Sequence, residues 1–248
     1  MIPQFALRLI CGLATFWCLV PREKITTGFF RIQMLITLGL SVLTALTLDQ
    51  WDGSGSLHSG MFYSVIILGI CSFVGSVLWT LGRRGAGTVF AGVIALISTA
   101  SVIAMEFSPK SPSLASIANT LTSAWMLGAV TATMLLGHWY LTATGMSLFP
   151  FERANLLLAG TVVLRIVTVA AIAISTGSFL SPGQSPALTL LHWGGLIGPL
   201  VLSGLTWRIL KYRNTQSATG VLYAATILAY MGEMAAALIL ASPSGTAG

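Results

Sequence analysis

The stretch NLLLAGTVVLRIVTVAAIAIS, residues 155–175, decides the fold. It is apolar over a length that crosses the roughly 30 Å hydrocarbon core of a bilayer as one helix. Arg165 lies near its middle. A guanidinium at the centre of a spanning helix costs roughly 2.5 to 3.5 kcal/mol, so it should face the protein interior, have a partner and mark a functional site.

The composition of the whole chain has the same character as this stretch. Hydrophobic residues make up 55% of the 248 residues and charged residues only 7%, and the mean hydropathy is +0.89. A soluble domain carries about 25% charged residues. The sequence therefore predicts an all-α, polytopic integral membrane bundle that contacts the lipid bilayer, and it gives no reason to expect nucleic-acid binding.

Eight transmembrane helices are predicted from the apolar runs, taking about 20 residues as one crossing. They cover about 3–20, 28–48, 61–81, 86–106, 115–142, 153–177, 186–208 and 218–241. None of the connections is long enough to fold alone, so the chain forms a single membrane domain, 1–248, and is not expected to be an enzyme on its own.

Basic residues flank or occupy the first, third, fifth and seventh connections, as at Arg83 and Arg84. The positive-inside rule then places these connections in the cytoplasm and both termini outside, in a bacterial cytoplasmic membrane. Arg8 followed by an apolar stretch also resembles a signal peptide. No cleavage site follows, which favours a retained first helix, and seven spans are the alternative.

A weak internal repeat relates residues 1–110 to residues 115–241. The exit from the first helix, LVPREK at 19–24, resembles LFPFER at 148–153. Two further similarities, at Ser76 and Ser203 and at Gly87 and Gly220, have nearly the same offset. An even number of helices per unit predicts a parallel 4+4 repeat, while chance similarity in a chain of this composition is the alternative.

Glu233 is the expected partner of Arg165. Placing helix starts at 153 and 218 puts Arg165 roughly 18 Å and Glu233 about 22 Å from the cytoplasmic edge. A pair of this kind neutralises both charges. It serves either to fix helix packing or as an anion, proton or quinone-headgroup site.

The histidines raise the question of haem b, which needs two imidazoles at similar depth on facing helices. His138 and His192 differ in depth by roughly 15 Å. His58 matches His192 better if its helix begins a turn early. Trp139 and Trp193 follow two of the histidines; each pair either lies at the membrane interface or contacts a quinone or haem.

The seventh helix is the most irregular in sequence. Pro199 predicts a kink near 195–199, because proline removes one backbone hydrogen bond. Gly194 and Gly198 form a GxxxG pair that allows close approach of another helix, and Gly195 lies beside them. Tight packing and a cavity-lining carbonyl are both compatible with this pattern.

The fifth helix carries a stripe of polar residues that should face inward: Thr120, Ser123, Thr131 and His138. The intervals of three, eight and seven residues between them put them on one face. The stripe either lines a water or proton path or bonds to neighbouring helices.

Three functions remain open. The first, favoured by the two His-Trp pairs, is a subunit of an electron-transfer membrane complex that binds quinone or haem b and other membrane subunits. The second is a small-solute, ion or proton transporter that uses Arg165 and Glu233. The third is a scaffold or assembly subunit. No complete catalytic motif occurs, and Cys11, Cys18 and Cys71 lack metal-ligand spacing.

Overall fold

The computed structural model describes residues 2–50, 55–107, 113–143, 145–176 and 185–241. Within these ranges it contains eight long helices, which confirms the predicted helical membrane bundle. They are α1 (Ile2–Leu19), α2 (Thr27–Thr47), α3 (Gly55–Thr80), α4 (Arg84–Met105), α5 (Leu114–Thr142), α6 (Phe149–Thr176), α7 (Pro186–Lys211) and α8 (Thr215–Ala241). Even the 18-residue α1 extends about 27 Å, so each helix is long enough to span a bilayer. The chain is an integral membrane protein.

Several helices begin earlier than their apolar runs predict. α6 begins at Phe149, four residues before the predicted start, and α3 begins at Gly55 rather than near 61. α7 remains helical through Pro199 and continues to Lys211. Interfacial residues extend these helices beyond the hydrocarbon core, which is why hydropathy alone sets their ends too far inward.

The helices form two rings of four. In the first unit, α1–α4, consecutive helices pack together and α4 returns to α1. The second unit, α5–α8, has the same pattern: α5 on α6, α6 on α7, α7 on α8, and α8 on α5. Extensive packing of α1 on α5 joins the units. The helices thus divide into two units of four, and the internal 4+4 repeat stays a prediction.

The α1–α5 contact brings two backbones together at Gly12 and Gly128. A Cβ atom added to Gly12 would collide with the carbonyl of Ala124, and one added to Gly128 would overlap the Gly12 backbone. Small residues permit this approach, which maximises van der Waals contact where lipid gives no hydrophobic drive between helices. Among the described helices, α5 is the most enclosed by the protein. In its apolar segment 78% of the residues are buried, against 22% in that of α6.

The two ends of the bundle differ in charge. The end formed by the connections after α1, α3, α5 and α7 carries the basic residues and is called the basic face here. Contacts across it include Arg84 Nη1 donating to the Glu23 carbonyl at 2.9 Å and Trp139 Nε1 donating to Thr26 Oγ1 at 2.7 Å. The other end, where α1 and α5 begin, is called the opposite face.

Candidate functional site

The structure brings Arg165 and Glu233 together. Arg165 Nε lies 3.0 Å from Glu233 Oε1, and Arg165 Nη2 donates to Glu233 Oε2 at 3.4 Å. The two side chains are only 3% and 6% exposed. The guanidinium and carboxylate are thus a buried, directly bonded pair, of the kind that needs its hydrogen bonds satisfied to compensate for lost hydration.

The pair crosses the interior of the second unit. α6, which carries Arg165, and α8, which carries Glu233, each pack on α5 and α7, so they lie diagonally across the ring. Because α6 begins at Phe149, Arg165 is about 24 Å from its start and about 16 Å from its end. The pair therefore lies in the half of α6 nearer the opposite face.

Arg165 is also anchored to α5. Its Nη1 donates to the Asn119 carbonyl at 2.8 Å and to Asn119 Oδ1 at 2.6 Å, with Thr122 Oγ1 at 3.4 Å. All three guanidinium nitrogens therefore donate to protein acceptors. The fixed fork of an arginine suits such convergent acceptors, whereas a lysine ammonium has neither the shape nor the number of donors.

Glu233 has a second donor besides Arg165. The Ser123 hydroxyl on α5 donates to Glu233 Oε2 at 2.6 Å. A hydroxyl bond to a charged carboxylate is short and strong. Both members of the ion pair are thus hydrogen-bonded to the same helix, α5. Ser123 is the residue of the predicted polar stripe that contacts the pair.

A second ion pair lies beside the first, between Arg8 and Glu106. Arg8 Nη2 is 3.9 Å from Glu106 Oε1, and the Thr120 hydroxyl donates to the same Glu106 oxygen at 2.6 Å. Arg8 Nη2 also donates to Thr120 Oγ1 at 3.4 Å. These side chains are 27% and 22% exposed, so this pair is looser and more accessible than the one at Arg165.

Sequence reasoning missed this second pair. Arg8 was interpreted as part of a signal-like start and Glu106 as a residue of a connection. The available signal was Arg8 within the apolar run of α1. Glu106 lies at the end of α4, and the start of α1 and the end of α4 are both at the opposite face. An arginine inside a span implies a carboxylate partner, and Glu106 is a carboxylate at matching depth.

The two pairs form one polar cluster across α5. Asn119, which binds Arg165, and Thr120, which binds Arg8 and Glu106, are consecutive residues. Glu233 and Arg165 are both close enough to Arg8 to interact with it electrostatically. The cluster therefore joins the two units where α1 meets α5, and its four formal charges cancel.

A small pocket opens onto the outer end of this cluster. Its lining combines the second ion pair with two apolar residues of α4 and two further polar residues: Gln4, Arg8, Val102, Met105, Glu106 and Thr120. The pocket reaches Arg8 from the opposite face of the bundle. The pocket is the size of about one water molecule, with roughly 10 Å³ of enclosed space, and its half-open mouth presents charged, hydrogen-bonding and apolar groups together.

The polar stripe of α5 divides between partners. Ser123 and Thr131 face α8, where Thr131 Oγ1 lies 2.9 Å from Tyr230 Oη. Thr120 instead points to α1 and α4, and His138 is exposed near the basic face with its Nδ1 3.3 Å from Tyr223 Oη. With 3.6 residues per turn the four positions fall within about 80° of one another, so they share one side of α5, and their partners differ because α1, α4 and α8 all pack on α5.

His192 completes the ring around the first pair. Its Nδ1 lies 3.2 Å from the Gly232 carbonyl, one residue before Glu233. It also interacts electrostatically with Arg165 and Glu233. Every helix of the second unit therefore contributes a group at or beside the ion pair, and Trp193 follows His192 as a partly buried residue of the core.

The glycines of α7 act differently from the predicted GxxxG pair. Gly195 is the residue that meets a backbone: a Cβ added there would overlap Gly232 on α8. Gly198 faces the Leu228 side chain, whereas nothing lies within 4 Å of a Cβ built on Gly194. Gly194 is exposed. The close approach is thus made by Gly195, and the predicted role of Gly194 is wrong because its face points away from α8.

The proposed pairing of His58 with His192 around one haem is not supported. α3 does extend back to include His58, as the pairing required. However, α3 packs mainly on α2 and α4, whereas α7 packs on α6 and α8, at the far corners of the two units. His58 Nε2 lies 3.6 Å from Asp49 Oδ1. The two imidazoles therefore belong to separate units and do not face one site.

Neither a metal-binding cluster nor similarity to known proteins indicates what the site does. Among the residues that the structure describes, no group of three or more His, Cys, Asp and Glu side chains is arranged to hold a metal ion. Comparison of the chain with protein-family models, with curated proteins and with solved structures gives no match. Its function must therefore be argued from the geometry of the charged cluster.

Proposed function

We propose that the chain is a membrane transporter that couples a proton to the movement of a small ion, with Glu233 as the carboxylate that exchanges the proton. The observation that supports this proposal is the polar cluster running from the pocket at Arg8 and Glu106, through Thr120 and Asn119, to Arg165 and Glu233. Intramembrane ionisable residues with such connections mark ion pathways and proton relays.

The contacts of Arg165 suit a carboxylate whose charge changes. When Glu233 binds a proton, Arg165 loses its counter-ion but keeps its two hydrogen bonds to Asn119. Ser123, whose hydroxyl rotates freely, donates to the charged carboxylate and can accept from the protonated one. Arg165 and Ser123 therefore keep hydrogen-bond partners in both states of Glu233.

A structural clamp is the second candidate, favoured by one observation: every nitrogen of the Arg165 guanidinium donates to the protein. Such a network fixes the packing of α5, α6 and α8 without any transport. The electron-transfer function expected from the His-Trp pairs has less support, because His138 lies at the basic face and His192 beside the buried ion pair.

Proton flux in proteoliposomes separates these candidates. The protein is reconstituted with internal pyranine in a mixture of small salts, and the membrane potential is clamped at zero with potassium and valinomycin. After an external acid step we expect faster internal acidification than in empty liposomes, and loss of this difference in Glu233→Gln. Glu152→Gln is the matched control, because this half-buried acid lies near the basic face, away from the cluster.

Two results overturn the proposal. One is a wild-type rate equal to that of empty liposomes. The other is a Glu233→Gln protein that elutes as a folded species and retains the wild-type rate. Either result leaves the structural clamp as the function of the pair.

A further inference from the structure

Arg8 has hydrogen-bonding capacity that the described part of the chain does not use. Within the described residues its guanidinium makes one hydrogen bond, the 3.4 Å contact with Thr120, and one loose ion pair of 3.9 Å with Glu106. Arg165, by comparison, donates from all three nitrogens. A guanidinium carries five N–H groups in a planar fork that matches an oxyanion. Arg8 therefore presents free donors to the pocket it lines.

We infer that the pocket at Arg8 binds a small planar oxyanion or carboxylate, and that the anion enters together with a proton that binds first to Glu106, at the pocket, before it reaches Glu233 at the inner end of the cluster. This inference rests on the proposed transport function and names the class of ion that is moved. Arg8 supplies the charged fork, Gln4 and Thr120 are the neighbouring polar groups, and Val102 and Met105 form the apolar wall.

The coupling to a proton follows from the charge of the cluster. Arg8, Arg165, Glu106 and Glu233 sum to zero, so an added anion would leave one uncompensated negative charge in a partly buried site. Such a charge is costly unless it is neutralised. Glu106 is the more accessible carboxylate, at 22% exposure against 6% for Glu233, and is the acid that the pocket reaches.

The same geometry makes the proton and the anion cooperative. Glu106 and the anion compete for Arg8, and protonation of Glu106 releases Arg8 from its counter-ion. The proton comes from the aqueous side at the opposite face and binds Glu106 Oε2, while the Thr120 hydroxyl still donates to Glu106 Oε1. No bond other than the O–H bond is made or broken.

Other groups around Arg8 and Glu106 do not substitute for this role. Arg165 and Glu233 interact with Arg8 but are bonded to each other. On α1, Cys11 contacts Thr99 of α4, and Tyr230 of α8 contacts Thr131. His192 of α7 is directed to the Gly232 carbonyl. Glu106 is thus the acid placed to exchange a proton with the pocket.

Nitrate is a suitable probe, because it is planar and carries no proton of its own at any pH used. In the proteoliposome assay we replace all small anions with gluconate and then restore nitrate alone. We expect nitrate to restore internal acidification in the wild-type protein and not in Arg8→Gln. Arg22→Gln, on the basic face, is the matched control and should behave as wild type.

Glu106→Gln supplies an independent readout. The glutamine amide at position 106 does not compete with nitrate for Arg8, so nitrate uptake should persist. The accompanying proton uptake should be lost, and nitrate uptake should no longer depend on pH. Wild-type proton flux that is unchanged in gluconate would overturn the anion inference and leave the proposed function intact. Nitrate uptake with no accompanying proton in the wild-type protein would equally overturn it, whether or not Arg8→Gln folds.

Discussion

Arg165 and Glu233, 68 residues apart in the sequence, meet diagonally across a ring of four helices through hydrogen bonds of 3.0 and 3.4 Å. Neither α6 nor α8 needs to pack extensively on the other for this contact, because both pack on α5 and α7. The pair therefore places two charges in the interior of the second unit, where buried apolar side chains such as Val162 and Leu196 also lie. Loss of either partner would leave the other buried and unpaired.

The first prediction concerns that loss. Arg165→Ala and Glu233→Ala should each destabilise the folded protein by about 3 to 5 kcal/mol, the usual cost of an orphaned buried charge. Thermal unfolding in detergent, followed by size-exclusion chromatography, measures the effect. Arg153→Ala on the same helix is the control, since Arg153 is exposed at the basic face. Equal melting temperatures for Arg165→Ala and Arg153→Ala would contradict the burial of the pair.

The shape of the guanidinium is a separate prediction. Arg165→Lys keeps the charge but cannot reach Glu233 and both Asn119 acceptors at once. It should lose at least one charge-assisted hydrogen bond, about 1.5 to 3 kcal/mol. The same thermal assay tests it, with Arg153→Lys as its control. Unaltered stability of Arg165→Lys would show that the α5 contacts contribute nothing.

Ser123 allows a test of the carboxylate's own environment. Ser123→Ala removes the 2.6 Å donor to Glu233 Oε2 and should lower stability by about 1.5 to 3 kcal/mol. Ser175→Ala is the matched control, because the Ser175 hydroxyl donates only to the Ile172 carbonyl of its own helix and the residue is exposed. A Ser123→Ala protein as stable as Ser175→Ala would argue against the bond.

The α7–α8 contact gives a prediction about packing. Gly195→Ala should force α7 away from Gly232, whereas Gly194→Ala adds a methyl group in open space. Overpacking of this kind costs about 1 to 3 kcal/mol. Folded yield and melting temperature of the two variants measure the difference. If Gly194→Ala destabilised the protein as much as Gly195→Ala, Gly194 would also contact another helix, as the GxxxG pattern predicts, and the prediction would be contradicted.

The histidine positions lead to a spectroscopic prediction. With His58 and His192 in separate units, we expect the purified, dithionite-reduced protein to lack the visible α band of b-type haem. The difference spectrum between reduced and oxidised protein measures this directly. A b-type band that is lost in His192→Ala would restore the electron-transfer function as the leading candidate.

Much of the fold follows from the sequence because a bilayer imposes a simple length rule on apolar runs. The length rule predicts the eight spans, and the depths that follow from it predict a buried Arg165 with Glu233 as its partner. The approach of Gly195 rather than Gly194 depends on helix rotation, which hydropathy does not determine. The pair of Arg8 and Glu106 was missed because it depends on which helices meet, and the contact of α1 with α5 has no local signature.

The central claim is that Arg165 and Glu233 take part in proton transport and do not only stabilise helix packing. The proton flux of a variant in which both residues are replaced by apolar ones tests this claim most directly. Arg165→Met/Glu233→Leu removes both charges with side chains of similar volume, so it should fold, as such replacements often do. In proteoliposomes with mixed small salts, we expect this folded double variant to acidify no faster than empty liposomes while the wild-type protein does. Wild-type flux in the double variant would contradict the account and assign the pair a purely structural role.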